Sequence, residues 1–398
     1  MTRMPLTTGT PSLDEVISGV MPGDNIVYMV DSIDDYIPFI HPYCEALDRL
    51  GWPLVYFRFA GHRSLLPEGS KAVVHTLQPE KGFEPFISEI YSVIEHYGKG
   101  AYYLFDSLSE LVVDWYSDRM LGIFFKLTCP YLYTWETVTC FALLKNYHSS
   151  NAVYLIHNTA QVILEVYRTR DRIYLHPQKA HARYTRTLVM RHVWEKDRFV
   201  PVTRSAEVTE ILSRVPQPWL DFTSKRSGVW TRAFEQARET LDNVRQRKQP
   251  ARHEDAGFRK LLRMAFTRDE KLAKLAERHL RLEDLIAIKK RMIGTGLIGG
   301  KSAGMLLARK ILVNHDRNWA GRLEEHDSFF IGSDFFYNYL VENNCWSVLR
   351  KQRHPETVLE GADEARKKIL SGRFPGDIVD QFREMLDYFG QSPIIVRS

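Results

Sequence analysis

The stretch "DNIVYMVDSIDDYIPF", residues 24–39, decides the fold. Positions 26–30 are an unbroken apolar run closed on both sides by Asp, Asn and Ser, the pattern of a strand buried on both faces. Directly after it, "YIPFIHPYCEALDRLG" (36–51) takes up helical spacing and ends in glycine, as helix C-termini often do. The same alternation recurs downstream. "WPLVYFRF" (52–59), "AYYLFDS" (101–107) and "AVYLIHN" (152–158) read as further buried strands, and "FEPFISEIYSVIEHYGKG" (83–100) as another helix. Strands alternating with helices predict an α/β fold with a mostly parallel sheet flanked by helices. "RTLVMRHVWEKDRFVPVT" (186–203) reads as a β-hairpin closing the sheet edge.

Composition sets the outer bounds. The chain has 398 residues, 44% of them hydrophobic and 12% aromatic, enough for two or three buried cores. No apolar run approaches the roughly 18 residues of a membrane span, and the first residues lack a secretory apolar stretch, so a cytoplasmic protein is expected. Cys44, Cys129, Cys140 and Cys345 stand far apart without a CxxC pair, which speaks against a disulfide framework or a zinc knuckle. The net charge of +5 is unevenly spread: residues 225–291 hold 19 Lys and Arg against 10 Asp and Glu. A solvated helix face explains that excess more simply than nucleic acid does, and few aromatics are present there for base stacking.

Three regions follow. Residues 1–224 carry the strand and helix alternation. In 225–292 Trp230, Phe234, Leu241 and Val244 share one helix face, Pro250 breaks the pattern, and a second helical tract runs on through "LEDLIAIKKRM", giving a basic helical connector. From residue 293 strands return in "SFFIGS", ahead of a helix from Asp334, and in the final "PIIVRS".

The opening "LTTGTPSLDEVISGVMPGDNIVYMV" and the later "YYLFDSLSEL" resemble a RecA-like ATPase domain of the KaiC type, with Asp106 at the end of its Walker B strand. Arg183, Arg186 and Arg191 are similar to the arginines of that family's terminal strands. The resemblance implies a glycine-rich phosphate loop ending in Lys-Ser/Thr. Here Tyr36 stands at the lysine position and Ile37 at the hydroxyl position, while Asp31, Asp34 and Asp35 place negative charge where phosphates would sit. A RecA-like domain without ATPase activity is expected, with Asp106 capping its own strand-to-helix turn and a protein partner as the domain's ligand.

"GTGLIGGKSAGMLLARKIL" (294–312) raises the opposite case. Gly299 and Gly300 permit close backbone approach, the helix that follows directs its first amides outward, and Lys301 adds a full charge, a combination suited to an oligophosphate. By itself the motif fits a glycine-rich turn with Ser302 as N-cap at least as well. Three elements in order, "IGGKSAGMLLARKIL", "SFFIGSDFFYNYLVENN" and "SPIIVRS", resemble the N-terminal nucleotide-binding domain of phosphoenolpyruvate synthase and pyruvate phosphate dikinase, a partial α+β segment of ATP-grasp type. That resemblance implies ATP with Mg2+, phosphate contacts from Gly299, Gly300, Lys301, Ser302 and Arg397, and pyruvate or phosphoenolpyruvate as the further ligand. Ser398 would open the serine pair after that arginine. The family's magnesium-holding acids and phospho-accepting histidine have no counterpart here, so the front portion of a longer phosphotransferase is expected, inactive by itself. The alternative is a pseudo-ATPase binding or regulatory module without catalysis.

Overall fold

Burial on both faces puts the first apolar run in the middle of a sheet. In the structure, a computed structural model that describes residues 6–169, 171–214, 228–246, 252–324, 327–351 and 360–397, that run is strand β1 (Asn25–Val30). A short helix α1 (Pro11–Val16) precedes it, and α2 (Ile37–Leu50), β2 (Leu54–Arg58), β3 (Val73–Thr76), α3 (Phe83–Tyr97) and β4 (Tyr102–Ser107) follow. Next come α4 (Ser109–Trp115), α5 (Asp118–Thr134), β5 (Val138–Leu144), α6 (Ser150–Thr159), β6 (Val162–Thr169), β7 (Arg172–Ala180), β8 (His192–Glu195), β9 (Arg198–Pro201) and α7 (Ser205–Arg214).

The nine strands form one sheet in the order β3-β2-β4-β5-β1-β6-β7-β8-β9. Strands β1 to β6 pair in parallel, while β6 to β9 continue as antiparallel hairpins. The Tyr28 ring packs on Tyr36 and Phe39, with centroids 5.2 and 5.1 Å away, so β1 and the start of α2 share one core. All four cysteines are buried free thiols.

One expectation changes here. Residues 152–158 are not a strand but lie in α6, because the Ser149 hydroxyl caps the Ala152 amide and nucleates a helix over a run too short to declare its period. The strands beside β1 are β5, "VTCFALL", pairing Asn25 with Thr139 through Val30 with Leu144, and β6 on the other side. The closing hairpin is present as β8 and β9, at the sheet edge as expected.

The chain forms two compact units, Met1–Gly228 and Val229–Ser398. The second holds α8 (Val229–Arg245), α9 (Arg252–Leu261) continued by a π-helical turn (Leu262–Phe266), α10 (Glu270–His279), α11 (Leu282–Lys290), β10 (Met292–Ile293) and α12 (Gly300–His315). After these come β11 (Phe330–Ile331), α13 (Ser333–Glu342), α14 (Trp346–Lys351), α15 (Ala362–Ser371) and α16 (Gly376–Phe389). Trp230, Phe234 and Leu241 are buried along α8, as their spacing required. Pro250 lies outside the described residues.

Among the described residues the strands of this unit are the parallel pair β10 and β11, matching Met292 with Phe330 and Ile293 with Ile331. The expected terminal strand is absent. Residues 393–397 join no ladder, and Ile395 and Val396 are 80% and 84% exposed. A short apolar run makes a strand only where a neighbour accepts its backbone hydrogen bonds.

Candidate functional site

In open α/β sheets ligands bind at the carboxyl ends of strands, where the direction of connection reverses. Strand β1 ends at such a point, with β5 and β6 on either side, and the loop that leaves it is closed by its own side chains. The Ser32 amide donates to Asp35 Oδ2 at 3.2 Å, and the Ser32 hydroxyl accepts from the Asp34 amide at 3.3 Å. Asp35 is buried and ion-paired to Arg168 at the end of β6. Lys145, just past β5, pairs with Asp31 at 2.8 Å, donates to the Val166 carbonyl at 2.7 Å and lies 4.2 Å from the Tyr167 ring centre. Asp34 pairs with Arg63 at 2.7 Å. Tyr36 is fully buried against Tyr28. Amides and cations that could meet a phosphate here meet the chain's own carboxylates.

Asp106 does not cap its own turn, as the sequence suggested. It is fully buried in β4, and its carboxylate accepts from the amides of Phe59 and Ala60, both at 2.7 Å, as β2 runs out into its loop. Tyr56 donates to it, and Arg58 stands 3.3 Å away. Burial, and after it the Asp106 charge, raise the Tyr56 pKa, which keeps the phenol a donor. Sequence reading missed this role because it depends on β2 and β4 being neighbours.

A second buried cluster had no sequence signal, since its members lie far apart in the chain. Ser109 Oγ is 2.7 Å from His148 Nε2, and His148 Nδ1 is 2.9 Å from Asp118 Oδ1. The order is that of a serine nucleophile, its base and an orienting acid. The hydroxyl, however, is 1% exposed and accepts the Leu144 amide at 2.9 Å. Without access to solvent or substrate, the cluster is a structural tie between the ends of β4 and β5.

The glycine stretch of the second unit is built in the opposite way. Its first half is clamped. Buried Asp334 accepts from the Thr295 amide at 2.8 Å and from its hydroxyl at 2.5 Å, and the Ser333 hydroxyl accepts the Leu297 amide at 3.1 Å. Gln381 accepts the Gly294 amide at 2.9 Å. Gly294 and Gly296 have φ of +77° and +91°, which only glycine adopts at little cost, and a Cβ on Gly332 would strike the Thr295 carbonyl.

The second half of the stretch is open. Gly299 is the N-cap of α12, and Gly300 and Lys301 are its first residues. Ser302 is therefore inside the first turn and is not the cap that the simpler reading assigned to it. The helix's own ladder starts with the Ala303 amide, 3.0 Å from the Gly299 carbonyl, so the amides of the preceding turn have no place in it. Neither Gly299 nor Gly300 has a left-handed backbone, and a Cβ on either would meet nothing within 4 Å. The fold thus has no internal need for glycine at these two positions. Lys301 is exposed beside them.

Arg397 is exposed in the segment after α16 and makes no hydrogen bond or ion pair among the described residues. Ser398 lies outside them. Among the described residues no group of three or more His, Cys, Asp or Glu side chains could hold a metal ion, and no helix is long and apolar enough to cross a membrane.

Residues 295–398 match the family model of the pyruvate phosphate dikinase AMP/ATP-binding domain. The match takes in the open start of α12, the Asp334 clamp and Arg397. No curated protein matches the chain.

Proposed function

We propose that the chain carries the front part of a phosphotransferase of the phosphoenolpyruvate synthase and pyruvate phosphate dikinase type, with ATP phosphates received at the start of α12. The observation that carries this reading is the pair Gly299 and Gly300: glycines without a conformational or steric reason inside the fold, at an open helix start, within the segment that matches an ATP-binding family. Absent side chains let an anion reach the backbone. The first-turn amides of Gly300, Lys301 and Ser302 and the positive end of the helix dipole attract it, and Lys301 adds a whole charge. Arg397, exposed in the segment after α16, can close on phosphate oxygens in bidentate fashion. ATP, when bound, supplies the transferable phosphoryl group, and Mg2+ would accompany it as counter-charge to the phosphates. In the complete reaction the phosphoryl group passes to a histidine and then to pyruvate; the residues for those steps are not assigned in this chain.

The first unit is read as a RecA-like domain that has given up nucleotide, a regulatory platform for a protein partner. What supports this is the ion pairing of Asp31, Asp34 and Asp35 with Lys145, Arg63 and Arg168, which fills the carboxyl edge of the sheet. The same pairing favours a second reading, a binding module without catalysis, should the second unit take no nucleotide.

Calorimetric titration of the chain with Mg-ATP separates the two. Binding is expected, weakened roughly tenfold to a hundredfold in Lys301→Ala and in Arg397→Ala, the range for loss of a hydrogen bond to a charged group. Absence of binding by the wild-type chain overturns the phosphotransferase reading.

A further inference from the structure

The open start of α12 is fastened on a second side, by helices outside the segment that matches the ATP-binding family. The helix that begins as α9 does not end in a regular turn. It widens into the π-helical turn Leu262–Phe266, closed by the Thr267 amide on the Leu262 carbonyl at 2.9 Å. Wide turns of this kind gather at functional sites. The last carbonyls of a helix need partners from elsewhere, and here the Ala265 carbonyl accepts the Ile298 amide at 2.9 Å. Ile298 is the residue before the Gly299 cap. The negative end of one helix therefore meets the positive end of another across a single residue, a favourable order of dipoles.

Apolar burial supports this junction from below: Leu262, Met264, Ala265, Phe266, Ile298 and Ala303 are all buried. Farther along, the Asn314 side chain donates to the His279 carbonyl at the end of α10 at 3.0 Å and Lys310 pairs with Asp284 in the first turn of α11 at 2.6 Å, so the C-terminal half of α12 is held against the end of α10 and the start of α11.

Resting on the nucleotide reading above, we infer that the π turn 262–266 is a positioning element of the phosphate site. Through the hydrogen bond between Ile298 and Ala265 it sets the direction of the Gly300, Lys301 and Ser302 amides. The helices of residues 252–290 are then a wall of the nucleotide domain and not a linker ahead of it. Ala265 and Ile298 touch no ligand; they act through the backbone of the residues that follow.

The test is calorimetric titration of Ile298→Pro and Ile298→Val with Mg-ATP, beside hydrogen–deuterium exchange of the wild-type chain. Proline removes the donor; valine keeps it with nearly the same bulk. Ile298→Val should bind ATP like the wild type and Ile298→Pro about tenfold or more weakly, the size of one lost orienting contact. Unchanged affinity in Ile298→Pro overturns the inference. Should that variant fail to fold, exchange decides: ATP is expected to protect residues 262–267 together with 299–302, and protection of 299–302 alone overturns it. If the wild type binds no ATP, the nucleotide reading itself falls, a result distinguishable from either of these.

Discussion

Lys145 Nζ lies 2.8 Å from Asp31 Oδ2 at the carboxyl end of the central strand. The lysine side chain is 4% exposed and the aspartate 41%. The two halves of this pair are therefore unequal. Without Lys145, Asp31 still has water; without Asp31, a buried ammonium loses its direct ion pair and keeps the Val166 carbonyl, the Tyr167 ring and the more distant charge of Glu165. Asp31→Ala should cost about 2 kcal/mol in urea unfolding and Lys145→Met under about 1 kcal/mol. Equal costs would mean that the lysine is hydrated despite its burial.

Gly300 and Gly332 should behave in opposite ways. Gly300→Ala meets open space in a helical conformation, so stability should hold or rise by a few tenths of a kcal/mol, while ATP affinity falls about tenfold because a methyl group stands in the phosphate's path. Gly332→Ala drives a Cβ into the Thr295 carbonyl and should destabilise the second unit by roughly 2 kcal/mol or more. Thermal melts and titrations of both variants check this. If Gly300→Ala keeps full ATP affinity, these glycines are not there for a phosphate.

Asp106→Asn should be among the most destabilising changes in the first unit, at about 3 kcal/mol. It keeps the volume but withdraws the charge that holds Arg58 and two backbone amides of the loop after β2. A midpoint in urea close to the wild type's would show that the loop holds itself.

Ser109 should stay unmodified by fluorophosphonate reagents in the folded protein despite the His148 and Asp118 beside it, because its hydroxyl is sealed. Ser109→Ala should cost about 1–3 kcal/mol, leaving the Leu144 amide and His148 without their partner. Labelling that disappears in Ser109→Ala would reveal an opening motion and a reactive serine.

The pH dependence of stability should carry the mark of His192. Burial is the largest influence on this ring and lowers its pKa from the ordinary 6.5; the neighbouring His176 acts in the same direction, and the Met190 backbone opposes both. The folded state thus favours the neutral ring. Its contribution to stability is full above about pH 6.5 and is lost as the pH falls below that value toward the folded pKa. Urea midpoints measured between about pH 7.5 and 5.5 should decline, and decline less in His192→Gln. A slope unchanged by that substitution would assign the effect to other groups.

The sequence by itself determined the α/β class, the central strand 25–30, the strands near 54 and 102, the helices within 36–51 and 83–100 and the edge hairpin, because those segments repeat one period long enough to be read. It also showed aspartates and Tyr36 in the loop after β1, and Gly299, Gly300 and Lys301 together ahead of a helical pattern. What lay outside its reach were relations between distant segments. The run 152–158 is a helix through Ser149, and "PIIVRS" fails as a strand among the described residues for want of a partner. Asp106 serves the loop of a neighbouring strand, Ser109 meets His148 and Asp118, and the carboxylates after β1 find Lys145, Arg63 and Arg168. Local pattern depends on a few consecutive side chains, so it is written in order along the chain. Pairing depends on which strands become neighbours, and that choice is made only when the whole sheet buries its apolar faces together.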